Sequence, residues 1–227
     1  MHRRDIISQL FDHQGYTSYL ELGLRNYNSV FNHIKCDVKH SVDLNMESAH
    51  YTMSTDDFFQ KLKSGMLDLD KDFKWDAIFV DANHLADFVK NDTLNSLNHL
   101  SDNGMVFLHD TLPPNYGAQL ENKQCQTAWK VVPYFLKYHP EIHICTTTES
   151  GGGLGIIIKN KSKERPLLSS SFNIFSEYYL MDADRNTSQN FIEFDKVYEW
   201  IQNPYYNFKE QNLSYYTNPK DIQHVWI

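Results

Sequence analysis

Short apolar runs and amphipathic stretches alternate along the first two thirds of the chain, the pattern of a sheet built from βαβ units. Residues 5–13 predict a helix with Ile6, Ile7, Leu10 and Phe11 on one face. A strand over 19–24 closes at Gly23, a helix follows over 27–34, and a second strand over 39–44 closes on Asp43. Thr55-Asp56-Asp57 reads as a helix start, with carboxylates at the positive end of the helix dipole. The run 75–80 is a strand ending at Asp81. Leu85, Phe88, Val89, Leu97 and Leu100 then recur at helical spacing before a break at Gly104. A strand over 105–108 delivers His109 and Asp110 to its C-terminal end. A helix over 126–138 precedes strands over 141–147 and 154–158, parted by a turn at Gly151-Gly152-Gly153.

Beyond residue 160 the pattern changes. A polar stretch, KNKSKERP, leads into sequence rich in Tyr, Phe and Trp without clear periodicity. Two parts follow: an α/β domain over 1–160 and an aromatic-rich C-terminal extension over 161–227, packed on the core. Tyr178, Tyr179, Phe191, Phe194, Tyr198, Trp200, Tyr205 and Tyr206 suit a cover for a cleft or a contact between subunits, so a homo-oligomer is allowed.

At 227 residues, 41% apolar and 22% charged, the chain has the composition of a globular protein with one substantial core. No window reaches the ~20 consecutive apolar residues that span a bilayer, so no membrane is expected. The opening MHRRDIISQLFDHQG is basic, but Ser8, Gln9 and Asp12 interrupt its apolar stretch, unlike a secretory signal. Cys36, Cys125 and Cys145 are odd in number and scattered, which suits reduced thiols in the cytoplasm. A net charge of −8 without a long basic run disfavours nucleic acid and leaves a small molecule as the expected partner.

In an open α/β sheet, ligands bind beyond the carboxyl ends of the strands. The polar residues there are Glu21 and Gly23, then Asp43, Asp81, and His109 with Asp110. One strand ending in a carboxylate can simply be meeting solvent; four doing so point to a site.

The blocks YLELG, SVDLN, TMSTDDFF, WDAIFVDANH and NGMVFLHDTLPP, with AWKVVPYFLKYHPEIHI and GGGLGIII downstream, resemble a bacterial branch of the class I S-adenosylmethionine-dependent methyltransferases over roughly residues 15–160. The resemblance implies a Rossmann-like, seven-stranded, mostly parallel sheet with helices on both faces and S-adenosylmethionine across the strand ends. Glu21 and Gly23 match the turn beneath the methionine part, Asp43 the acid that accepts from the ribose hydroxyls, and Ser54, Thr55 and Asp56 the segment beside the adenine. The usual glycine-rich turn is ELGLRNYN here, and Asn26 or Asn28 can supply a left-handed backbone in place of the later glycines.

Asp81-Ala82-Asn83-His84, with His109-Asp110 on the next strand, is similar to the metal-dependent sugar O-methyltransferases of the macrocin and mycinamicin type. That likeness implies a divalent metal on Asp81, His109 and Asp110, and His84 as general base beside Asp81. The pair is His-Asp where those enzymes carry Glu-Asp, which either shifts the expected metal from strict magnesium towards manganese, iron or zinc or weakens metal binding altogether. The function implied is methyl transfer to a hydroxyl of a sugar or other small molecule. The alternatives are methylation of a phenol or amine, and a degenerate methyltransferase fold acting as a partner subunit.

Other features carry less. Asn203-Pro204-Tyr205-Tyr206 sits far downstream of the fourth strand and reads as a Pro-initiated turn. The glycines at 151–155 precede no Lys-Ser/Thr and read as a turn. His99, His139 and His143 lack ligand-like spacing and read as surface or ordinary polar residues.

Overall fold

The computed structural model describes residues 1–161, 167–168, 189–204 and 216–217. The first helix, α1 (Arg3–Gln14), buries Ile6, Ile7, Leu10 and Phe11. The His2 side chain caps its start, and Gly15 ends it at φ 66°, a left-handed position that glycine takes without strain.

Seven strands follow: β1 (Ser18–Leu22), β2 (Val38–Asp43), β3 (Tyr51–Thr52), β4 (Trp75–Val80), β5 (Leu100–His109), β6 (Ile142–Thr147) and β7 (Leu154–Lys159). They form one sheet in the order β3-β2-β1-β4-β5-β7-β6. Every pairing is parallel except those of β7, which runs antiparallel to both β5 and β6. Because β7 reverses between them, β5 and β6 end at the same edge of the sheet. This is the Rossmann-like, seven-stranded, mostly parallel sheet expected from the sequence.

The central strand β1, SYLEL, is buried at every position, as a parallel strand covered on both faces must be. On one face Leu20, Leu22, Ile78, Val80, Val106 and Leu108 pack beneath α2 (Thr55–Lys63), α3 (Ala86–Asn98) and α4 (Val131–Tyr138). On the other, Tyr19, Ala77, Phe79, Met105 and Phe107 meet the apolar stripe of α1. Residues 190–192 lie beside β6, where Ile192 N–H donates to the Thr146 carbonyl. They lead into α5 (Phe194–Gln202), which buries Val197 and Trp200 in the α1-side core and sets Tyr198 edge-on to His13. Phe191 packs with Leu112 and Trp129. A short antiparallel pair joins β8 (Leu167–Leu168) to β9 (Tyr216–Thr217). Tyr178, Tyr179, Tyr205 and Tyr206 lie outside the described residues. Among the described residues no helix is long and apolar enough to cross a membrane.

Three local expectations need correction. The stretch 27–34 forms turns and a 3-10 segment, Phe31–His33, in place of an α-helix. Asparagine side chains compete for its backbone there: Asn26 Oδ1 accepts from Asn28 N–H, and Asn28 Oδ1 accepts from the Asn32 amide. Gly104 does not break the chain, because β5 runs through it with a register shift opposite Trp75–Ala77. A β-carbon at Gly104 would stand 2.7 Å from the Asp76 carbonyl oxygen, so the glycine serves close approach. The helix expected over 126–138 starts later, with a 3-10 turn at Ala128–Lys130 before α4.

Candidate active site

The strand ends open on a cleft of about 880 Å³ that Gly23, Asp43, Asp81, His84, His109 and Asp110 line together. A smaller cavity of about 260 Å³ adjoins it through Gly23, Asp43 and Ala82, and is walled by Ser54, Thr55 and Asp56. Leu44, Met53 and Phe88 complete that wall, with Leu44 64% and Phe88 46% exposed. Apolar side chains left open around a narrow cavity are suited to a flat ring.

Each expected residue has a local reason for its place. Gly23 turns at φ +90°, its N–H bonded to the Val42 carbonyl at 2.8 Å, while Asp81 N–H bonds the Leu22 carbonyl at 2.8 Å. These bonds draw the β1 turn against the ends of β2 and β4. Asn26 and Asn28 do not adopt the left-handed backbone expected of them; Gly23 alone makes the turn. Asp43 Oδ1 accepts from the backbone N–H groups of Asn45 and Met46 at 2.8 and 2.9 Å, so this carboxylate also shapes the loop it precedes. Ser54 caps α2 by accepting from Asp57 N–H at 3.1 Å.

Glu21 is not brought to either cavity. It is 2% exposed, its Oε2 accepts from the Tyr19 hydroxyl at 2.7 Å, and burial pushes its carboxyl up to about 8 against the lowering effect of that bond. Its place beneath the sheet end is internal support.

The other half of the cleft is a cluster of imidazoles and carboxylates. Asp81, at the end of β4, accepts at Oδ1 from His109 Nδ1 at 2.6 Å and His84 Nε2 at 3.1 Å. Burial alone would raise the Asp81 carboxyl, but the rings of His109 and His84 outweigh it and hold Asp81 well below the usual range. His84 lies between Asp81 and Asp110, its Nδ1 against the Gln124 carbonyl and 3.2 Å from Asp110 Oδ2. Burial lowers its pKa, yet the hydrogen bond and charge of Asp81 win, and the net shift is upward.

Asp110 is fully buried at a left-handed φ of 58°, a conformation that Asp tolerates better than most residues. Its Oδ1 accepts from Gln124 Nε2 at 3.1 Å and from the Cys125 thiol at 3.6 Å. Burial outweighs the two imidazoles and raises its carboxyl. Arg3, from the start of α1, completes the rim with a nitrogen 4.0 Å from Asp81 Oδ2.

One participant escaped the sequence reading. Glu149, two residues beyond β6, has its side chain fully enclosed with Oε1 3.9 Å from His109 Nε2. The strand-end rule that singled out the other carboxylates applies equally to β6. Asp81, His84 and His109 can bring donor atoms within 4.8 Å of one another, as can His109, Asp110 and Glu149. His109 Nε2 and Asp110 Oδ2 are buried without a hydrogen-bond partner among the described residues. A mixed oxygen and nitrogen set with such orphaned atoms fits a divalent cation.

The other histidines singled out in the sequence stay apart from this cluster. His99 stacks on Phe59, His139 sits beside Glu141, and His143 is buried within β6, not at the surface. Cys36, Cys125 and Cys145 are free.

Residues 11–111 match a family model described as a methyltransferase domain. No curated protein matches the chain. Among solved structures, the O-methyltransferase TomG from Streptomyces achromogenes is similar at 14% identity, over 70% of this chain and 79% of its own, with a TM-score of 0.49. An O-methyltransferase from Bacillus cereus is similar at 13% identity, over 69% of this chain and 80% of its own, with a TM-score of 0.46. MycE, from the mycinamycin biosynthetic pathway, is similar at 10% identity and a TM-score of 0.44, over 67% of this chain and about half (48%) of its own. Residues 11–111, which span most of the parallel part of the seven-stranded sheet, are thus similar to a methyltransferase domain.

Proposed function

We propose that the protein is an S-adenosylmethionine-dependent O-methyltransferase acting on a hydroxyl of a sugar or another small polyol. The observation that carries the reading is a single cleft with two chemically distinct halves. Gly23 and Asp43 stand on one side, and the Asp81–His84–His109–Asp110 cluster on the other.

S-adenosylmethionine, when bound, supplies an electrophilic methyl on a sulfonium: the acceptor oxygen forms the new C–O bond as the C–S bond breaks and its electron pair returns to sulfur. On this reading the Asp43 carboxylate accepts from the ribose hydroxyls, and Leu44, Met53 and Phe88 sandwich the adenine beside Ser54, Thr55 and Asp56. The apolar walls of the smaller cavity fit such a ring.

His84 takes the hydroxyl proton. Its Nδ1–H is held by the Gln124 carbonyl, so Nε2 is the accepting atom once the proton it shares with Asp81 Oδ1 has been released. The imidazolium so formed is held by Asp81 Oδ1 at 3.1 Å. His109 and Asp110, with Asp81, would hold a divalent cation, whose chemistry is to lower the pKa of the acceptor hydroxyl.

A polyol is favoured over a phenol by the walls of the larger cavity. Arg3, Arg25, Asn45, Asn122, Lys123 and Gln124 line it, and no Phe, Tyr or Trp does so among the described residues. Such groups offer hydrogen bonds to hydroxyls and no stacking surface.

The test is transfer of labelled methyl from S-adenosylmethionine to a panel of sugars, phenols and amines, with cofactor affinity measured by calorimetry. Transfer to a sugar hydroxyl supports the proposal. Micromolar cofactor binding with transfer only to phenols or amines overturns the acceptor class, and absence of cofactor binding overturns the catalytic reading in favour of a partner subunit.

A further inference from the structure

We infer that His109, Asp110 and Glu149 together hold a divalent transition-metal cation, with Asp81 orienting the imidazole from outside that set. The inference rests on the metal reading above and revises its ligand set, putting Glu149 in the place of Asp81.

The hydrogen bonding of the His109 ring is the starting point. Its Nδ1 faces two carboxylates, Asp81 Oδ1 at 2.6 Å and Asp110 Oδ2 at 3.3 Å, so the ring proton belongs on Nδ1. Nε2 is then the bare nitrogen. It is buried, on a residue only 7% exposed, and has no hydrogen-bond partner among the described residues. An imidazole that donates one N–H to a carboxylate and presents its other nitrogen is the usual arrangement of a metal-bound histidine.

Glu149 stands opposite that nitrogen, Oε1 3.9 Å from Nε2. A carboxylate oxygen and a bare imidazole nitrogen are both acceptors, so the pair gains nothing from facing each other without a cation between them. The third member, Asp110, is fully buried beside them, with Oδ2 turned to the His84 and His109 rings and Oδ1 to Gln124 and Cys125. One donor atom from each of the three lies within 4.8 Å of the others, a span close to twice a metal–ligand bond of about 2.0–2.2 Å.

Charge points the same way. His84 faces Asp81 and Asp110 at 3.1 and 3.2 Å and offsets their charge, not that of Glu149. The enclosed Glu149 carboxylate receives the Gly152 N–H at 2.7 Å and the Ser150 hydroxyl at 3.4 Å, and among the described residues no Lys or Arg side chain stands within 4.0 Å of it. Enclosing a carboxylate without a compensating cation is costly, and a bound metal removes that cost. One imidazole with two carboxylates suits manganese, iron or zinc better than an all-oxygen ion such as calcium.

The experiment is titration of the whole protein with manganese, reading free ion by electron paramagnetic resonance and the thermal midpoint in parallel, for wild type, Glu149→Gln and Glu149→Asp. Gln keeps an acceptor for the Gly152 N–H, and Asp keeps the charge but withdraws it by one methylene. The expected result is one ion bound by wild type with a raised midpoint, and binding weakened at least about tenfold in both variants. Wild-type affinity in either variant that keeps the metal-free midpoint overturns the role of Glu149 and leaves the metal reading standing. A wild type that binds no manganese, iron or zinc overturns both.

Discussion

The backbone at Gly23 runs directly against that of Asp81: a β-carbon there would collide with the Asp81 carbonyl oxygen and with Ala82 Cα. The same residue sits at φ +90°, where any L side chain is strained. Gly23→Ala therefore meets two penalties at once and must push the ends of β1 and β4 apart. The expected outcome is a loss of about 2–4 kcal/mol in urea unfolding, together with loss of detectable cofactor binding. A variant with wild-type midpoint and affinity would show that the two turns can separate freely.

Asp43 invites a paired substitution. Its Oδ1 anchors the Asn45 and Met46 N–H groups, so Asp43→Ala removes the loop anchor as well as the proposed ribose acceptor. S-adenosylmethionine affinity should fall by about 1.5–3 kcal/mol, accompanied by a stability loss of about 1 kcal/mol. Asp43→Asn keeps an acceptor for the loop and loses the charge. Calorimetry should find the Asn variant stable yet weakened in affinity; equal affinities for Asn and wild type would remove the carboxylate from cofactor recognition.

Much of this arrangement was legible in the chain because strand ends are. Period and length located β4 and β5, and direction then put Asp81, His109 and Asp110 on one edge. Glu21 shows where that logic stops. In a strand buried on both faces, alternation does not say which side chain meets the cleft, and Glu21 shares a face with Tyr19, which takes its proton-accepting oxygen. Glu149 was hidden for another reason. Only the reversal of β7 between β5 and β6 returns its loop to the edge where β4 and β5 end, and pairing order is a tertiary property. The false helix at 27–34 failed locally, its apolar spacing overruled by asparagine side chains.

Asp92, buried on α3, should impose a pH dependence on stability. Burial raises its carboxyl to about 7, with the Thr55 hydroxyl opposing and the Asp56 charge adding to the shift. The unfolded chain ionises Asp92 near pH 4, so the folded state is progressively disfavoured as pH rises from about 4 to about 7, and the deficit then stays constant. Asp92→Asn should flatten that fall and gain about 2–4 kcal/mol over wild type at pH 8, with little difference at pH 4. Unfolding curves at the two pH values check this, and an equal effect of the substitution at both would assign it to packing.

His84 is the residue on which the proposed chemistry turns. Its pKa lies above the ordinary imidazole value because the Asp81 contact outweighs burial. A base must be neutral to accept a proton, so turnover should rise with pH through a single ionisation above about 6.5, the ordinary imidazole value. Asp81→Asn removes the charge that holds the proton and should move that inflection downward, whatever it does to the maximum rate. His84→Ala should cut turnover by ~10²-fold or more with cofactor affinity nearly unchanged, and the inflection should vanish from what remains. Chelation followed by return of a single divalent metal separates the two halves of the mechanism, since a metal-assisted reaction is lost and restored while the His84 ionisation persists. If His84→Ala keeps both rate and pH profile, His84 is only a clamp between Asp81 and Asp110, and methyl transfer here would depend on alignment of the two reactants in the cleft.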